Sequence, residues 1–190
     1  MQVVLRWVMV LGLTLTGVIG TARASEDGGW QPVDFHPVLE IWKSERRMVL
    51  RNGEAELRRF PVVLGRAPHY PKEVRGDMRT PVGRYYISEK HVSRFHRFLG
   101  ISYPNVDDAE HGYGRGLIDP AQWADIFVAN WRGVMPPPHT RLGGKVGIHG
   151  FGGRPYLPID WTEGCVAISN DDVEYLYAVA PVGMPVIIHE

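Results

Sequence analysis

The stretch "VGIHGFGGRPYLPIDWTEGCVAISNDD" runs from Val146 to Asp172 and holds the only cysteine among 190 residues, Cys165, sixteen positions after His149. "KVGIHG" reads as a strand ending at the histidine, and "SNDDVEYLYAVA" opens a helix capped by Ser169 or Asn170, with Asp171, Asp172 and Glu174 near its positive end. Between them lies a loop of about a dozen residues, so the chain leaves a strand end and returns carrying a thiol. Attack by sulfur requires thiolate, and free cysteine has a pKa of about 8.5, so a nearby imidazole that takes the proton is the usual remedy. Gly147, Gly150, Gly152 and Gly153 permit close backbone approach, and Gly164 lets the turn at the thiol offer N–H groups to an oxyanion.

The beginning of the chain says where this thiol works. Residues 1–24 read as an export signal: Arg6, an apolar run from Trp7 to Ile19, then "GTARA", whose Ala22-x-Ala24 fits a signal-peptidase site. A retained anchor is the alternative, but the run falls short of the roughly 20 residues that span a bilayer. Cleavage removes Arg6 and Arg23 from 21 basic residues and none of the 21 acidic ones, so the remainder is slightly acidic and nothing argues for nucleic acid. Structural cysteines in an oxidising compartment come in pairs as disulfides, and Cys165 has no partner in its own chain. The alternative to a reactive role is a small buried hydrophobe.

Residues 25–37 read as a lead-in and 38–190 as one domain. Val38 to Trp42, Arg47 to Leu50 and Ala55 to Leu64 read as strands, the last two joined at Asn52-Gly53, a hairpin signal. "TPVGRYYIS" supplies a turn and a strand through Tyr85 to Ile87, and Phe98 to Tyr103 another, closed by Pro104. In "DPAQWADIFVAN", Asp119 caps a helix with Pro120 at its first position and Trp123, Ile126 and Phe127 on one face. "MPVIIHE" is a final strand. Many short strands with two short helices predict a β-rich α+β domain.

The pattern "IHG…DWTEGCVAISN" resembles the signature of the L,D-transpeptidase catalytic domain, the YkuD-type family, in which a His-Gly precedes a [Ser/Thr]-x-Gly-Cys by about this spacing. "GDMRTPVGRYYI", from Gly76 to Ile87, is similar to the family's Thr-Pro-x-Gly turn and strand, and "VGMPVIIHE" to its terminal strand. The resemblance covers roughly Val38 to Glu190 and implies a mixed β-sandwich with two short helices.

It also implies an activity. Family members act outside the cytoplasmic membrane on peptidoglycan stem peptides, attacking the carbonyl of the L-centre of the third residue and expelling the D-amino acid after it. Carried over, Cys165 is the nucleophile, His149 its base, the Gly150 carbonyl orients the imidazole, and backbone N–H groups at Gly164 and Cys165 bind the oxyanion. Thr162 and Glu163 fall at substrate-binding positions. "HVSRFHRFLGISYPN" resembles a substrate-groove segment, with His96, Tyr103 and Asn105 as candidate stem-peptide contacts; a plain strand with polar edge residues is the alternative. The resemblance implies no metal or organic cofactor, a periplasmic monomer, and a wall-linked protein as a further partner of the reaction.

The sequence departs from the family pattern at two positions. Many members carry a histidine directly before the Gly-Cys and an arginine two residues after the cysteine, where this chain has Glu163 and Ala167. "GC-x-A" resembles a branch that includes hydrolases, so hydrolysis of the same acyl-enzyme stands beside transfer. Arg141 or Arg154 could replace the missing contact. Leu117 to Thr140 reads as a helical insertion, with a lid over the cleft as the alternative.

Rival chemistries fit less well. In papain-like peptidases the cysteine comes first in the chain. A sortase carries an arginine beyond its cysteine, and none follows Cys165. His149, Cys165, His189 and Glu163 have no standard zinc-ligand spacing. A wall-binding scaffold on a retired catalytic fold has no reason to keep both His149 and Cys165.

Overall fold

The computed structural model describes residues 35–190, together with the paired strands β1 (Arg23–Ala24) and β2 (Trp30–Gln31), which belong to a separate unit ahead of His36. The export signal read at residues 1–24 lies outside the described residues, apart from β1. No helix among the described residues is long and apolar enough to cross a membrane.

From Pro37 onward the chain builds β3 (Pro37–Trp42), β4 (Arg47–Asn52) and β5 (Ala55–Pro61), then β6 (Gly83–Ser93) and β7 (His96–Ile101). Two helices follow, α1 (Val106–Gly114) and α2 (Pro120–Trp131). The chain then makes β8 (Gly147–His149), β9 (Val166–Ala167), α3 (Asn170–Val179) and β10 (Pro185–His189). β3 alternates buried and half-buried residues, the mark of a strand with one face on a core. The β4–β5 pairing sets Asn52 opposite Ala55, so the turn is Gly53–Glu54, one residue later than expected, with Gly53 at φ +56°.

All eight strands from β3 to β10 form one mixed sheet in the order β5-β4-β3-β10-β6-β7-β8-β9. The terminal strand β10 sits in the middle, parallel to β3 and antiparallel to β6. Just after β5, Val63 bridges to Ala167 and Gly65 to Thr162. The two ends of the sheet therefore meet, and the sheet curls around its core as the two layers of a sandwich would. Leu39, Ile41, Leu50, Phe60, Ile87, Leu99, Ile148 and Ile188 fill that core, and α3 closes it with Val173 and Leu176 against β7 and β8. Each such side chain contributes about 1.5–3 kcal/mol on burial.

Three helices stand where two were expected. α1 carries little sequence signal: Val106, Ala109 and an exposed Tyr113 are its only non-polar side chains besides two glycines, so no helical stripe shows. Asn105 and Asp108 close it with a reciprocal capping box, and Gly112 lies so close to Leu142 that an added Cβ would come within 2.6 Å of it. α2 begins as expected at Asp119-Pro120, and a small second cluster of Ala109, Ile118, Ile126 and Leu142 joins the two helices.

Candidate active site

β8 and β9 run parallel with Ile148 opposite Val166 and His149 opposite Ala167. Extending that register by one residue sets Cys165 opposite Gly147, and the thiol reaches the Lys145 carbonyl oxygen as a weak donor at 3.9 Å. Residues 147 and 149 share one face of the strand, so Cys165 and His149 face the same side, one strand and two residues apart. That diagonal is within the reach of an aromatic side chain. Both residues line a cleft of about 1000 Å³.

The imidazole is held closely. His149 is buried, and its Nδ1 lies 2.7 Å from the Gly150 carbonyl oxygen. A carbonyl only accepts, so Nδ1 carries the proton and Nε2 is the bare, basic nitrogen. Phe95 stacks on the ring at 4.6 Å and Trp161 meets it edge-on at 5.6 Å. Burial lowers the His149 pKa below its ordinary value; the Gly150 hydrogen bond opposes this, and the charges of Arg154 and Arg94 add to it. The site therefore holds a neutral base.

The Gly150 carbonyl owes its position to a residue that the sequence offered only as a helix cap. Ser169 takes the cap of α3, which frees Asn170 to reach back. Its Oδ1 accepts from Phe151 N–H at 2.9 Å and Gly152 N–H at 3.0 Å, and its Nδ2 donates to the Gly152 carbonyl at 2.8 Å. A Cβ on Gly150 would stand 2.5 Å from that Oδ1, so glycine is required there.

Cys165 is half-buried, yet its thiol is crowded enough that burial pushes its pKa up to about 11. The nearby Gly147 backbone and the charge of Lys72 ease it down, and Glu163 pushes it up. Four units above neutrality correspond to about 5 kcal/mol for ionising the thiol at pH 7. At neutral pH the pair rests as thiol and imidazole.

Two of the expected site residues, Thr162 and Gly164, are bonded to each other within the turn. Thr162 lines the cleft, but its hydroxyl donates to the Cys165 carbonyl at 2.7 Å and accepts from Gly164 N–H at 3.2 Å. Thr162 thus locks the turn, and the Gly164 N–H expected at an oxyanion is engaged with it. Gly164 itself is at φ +127°, and a Cβ there would sit 2.6 Å from the Arg79 carbonyl. Gly164→Ala is expected to lower stability by about 2 kcal/mol or more, seen as a lower urea midpoint. An unchanged midpoint would contradict this account of the turn.

The groove segment meets the cleft at residues other than the expected His96, Tyr103 and Asn105. Tyr103 is 1% exposed in the core, where its hydroxyl donates to the Leu142 carbonyl, and Asn105 caps α1; neither lines the cleft. His96 is exposed and pairs with Glu174 on α3 at 2.9 Å. The neighbours Arg94 and Phe95, at the β6–β7 turn, line the cleft instead. Glu163 stands exposed at the cleft, 3.9 Å from Arg66. Ala167 is fully buried with Val63, Phe151 and half-buried Trp161. Arg154 lies over Trp161 in the cleft, whereas Arg141 is outside its lining. Met135, Pro138 and His139, in the loop after α2, form another part of the wall. Among the described residues no three histidine, cysteine or acidic side chains gather to hold a metal.

The model of the YkuD family, the L,D-transpeptidase catalytic domain, matches residues 36–188. Among solved structures, the chain is similar to the K307A mutant of the helical cell shape determining protein Pgp2 from Campylobacter jejuni, with TM-score 0.58 and 19% identity over 90% of this chain and 50% of that one. It is also similar to Bd1075 of Bdellovibrio bacteriovorus, with TM-score 0.53 and 19% identity over 81% of this chain and 48% of that one. At this identity the likeness is one of fold, and the chain spans about half the length of both proteins. No curated protein matches the chain.

Proposed function

The chain belongs to the L,D-transpeptidase catalytic domain family, and from that premise we propose that it is a peptidoglycan-modifying cysteine acyltransferase working outside the cytoplasmic membrane. The observation that carries the reading is the bare Nε2 of His149, fixed by the Gly150 carbonyl, on the same sheet face as the only thiol in the chain.

The proposed reaction runs in two stages. Cys165 sulfur attacks the carbonyl carbon at the L-centre of the third stem residue while its proton passes to His149 Nε2. The Cys165 N–H supports the resulting oxyanion. Collapse breaks the peptide bond, the departing amine of the D-residue takes the proton from His149, and a thioester remains on Cys165. An amine acceptor resolves it by transfer, or water by hydrolysis, with His149 again accepting a proton. The cleft carries six lysine or arginine side chains against Glu89 and Glu163, which suits a substrate bearing carboxylates.

Hydrolysis is kept as a second reading because of Ala167. Where an arginine would present a charged donor, this chain has a methyl group among Val63, Phe151 and Trp161, so the donor contact must come from elsewhere. Incubating the purified protein with disaccharide tetrapeptide and excess D-amino acid, with products identified by mass, tests both readings. Exchange product supports transfer, and tripeptide supports hydrolysis. An untouched tetrapeptide, with crosslinked muropeptide and wall-linked protein also left intact, would overturn the proposal.

A further inference from the structure

We propose that Arg94 and Arg154 form a carboxylate subsite beside His149 that holds the free α-carboxylate of the residue expelled from the substrate. This rests on the acyl-transfer reading above.

The two guanidinium groups come from different parts of the chain and meet at one aromatic platform. Arg94 stands 4.8 Å and Arg154 5.8 Å from the centroid of the Phe95 ring, and Arg154 lies 4.6 Å over Trp161. Phe95 and Trp161 are the rings that pack on His149. Backbone contact brings the segments together: at Gly152, with φ +61°, a Cβ would lie 2.4 Å from the Arg94 carbonyl.

Neither arginine has a carboxylate partner among the described residues, whereas Arg97, three residues past Arg94, is paired with Glu174 at 2.7 Å. Two like charges gathered at one ring without a counter-ion repel each other, and an anion between them relieves this. Trp161 adds an indole N–H that is buried with no partner among the described residues. Planar guanidinium groups stacked on aromatic faces keep their N–H edges free, the arrangement that receives a carboxylate by paired hydrogen bonds.

The side of the cleft identifies which carboxylate. His149 must return its proton to the departing amine, so the expelled residue lies on the His149 side of Cys165. In an amino acid the α-carboxylate is separated from that nitrogen by a single carbon. The group nearest the imidazole after the amine is therefore the one that Arg94 and Arg154 face. A peptide whose expelled residue continues into another amide bond lacks this carboxylate and forfeits the contact. The subsite thus favours free tetrapeptide ends over internal crosslinks, and it supplies from the loop after His149 the charged donor absent at Ala167.

The test measures binding of a stem tetrapeptide and of its C-terminal amide to the Cys165→Ala protein by calorimetry, alongside turnover of both by the wild type. The free acid is expected to bind at least tenfold more tightly than the amide. Arg94→Ala/Arg154→Ala is expected to reduce that ratio below threefold, while Arg97→Ala, a charge lost from the same hairpin outside the cleft, leaves it unchanged. Equal affinity for acid and amide, or a preference that survives the double substitution, would overturn the subsite. A preference without turnover of either peptide would instead count against the acyl-transfer reading alone, and turnover without preference against the subsite alone.

Discussion

Cys165→Ser is expected to stop both acylation and product formation, lowering turnover by more than ~10³-fold, because the whole of the proposed route passes through one covalent intermediate. The site is suited to sulfur and poorly suited to oxygen. Its candidate base, His149, is kept neutral by burial, and among the described residues no carboxylate is hydrogen-bonded to it; the orienting group is the Gly150 carbonyl, which bears no net charge. A thiol whose pKa is raised to about 11 is already a demanding proton donor for such a base, and a serine hydroxyl is several units less acidic still. The substitution is nearly isosteric at a half-buried position, so the fold should persist. Equal turnover by the serine protein would remove Cys165 from the mechanism.

His149→Ala is expected to lower the rate by ~10²–10⁴, the range for loss of a general base. The sign of the pH dependence separates this role from a packing role. In the proposed reaction the imidazole must be neutral to accept the thiol proton, so wild-type activity is expected to be lost as pH falls through the His149 pKa. Burial, aided by the charges of Arg154 and Arg94 and opposed by the Gly150 hydrogen bond, sets that pKa below the ordinary 6.5. The acid limb of the wild-type rate profile should therefore have its midpoint below 6.5 and should vanish in the alanine protein. A change under threefold, with the limb intact, would make His149 a core residue. Stacking on Phe95 and Phe98 makes some loss of stability expected as well, so folding is checked separately by its urea midpoint.

The parts of this molecule visible in the sequence are those coded locally. β3 to β5 show as strand-like runs joined at a glycine turn, α2 in Asp119-Pro120, α3 in its acidic first turn, and the candidate His149–Cys165 pair in glycine-rich spacing. What stayed hidden depends on distance or on phase. The bridge from Val63 to Ala167 joins residues about a hundred positions apart, and no local pattern encodes it. Along the β6–β7 hairpin the relevant segment was recognised, but its side chains alternate: the tight turn sends His96 toward Glu174 and leaves Arg94 and Phe95 in the cleft. Tyr103 and Asn105 lie where the strand has already ended and α1 is being capped. Asn170 carried a visible clue, since Ser169 and Asn170 both competed for one cap; only the folded loop shows that the loser clamps Gly152.

The central claim is that the acyl group of the third stem residue becomes attached to Cys165 with release of the residue that follows it. Intact-protein mass spectrometry of the enzyme quenched in acid seconds after mixing with disaccharide tetrapeptide tests this most directly. The account predicts an adduct with the mass of the disaccharide tripeptide acyl group, mapped by fragmentation to Cys165, absent from Cys165→Ser, and accompanied by one free D-amino acid per adduct. Product formed at the L-centre while Cys165 never gains mass under any quench time, and with Cys165→Ser equally active, would contradict it.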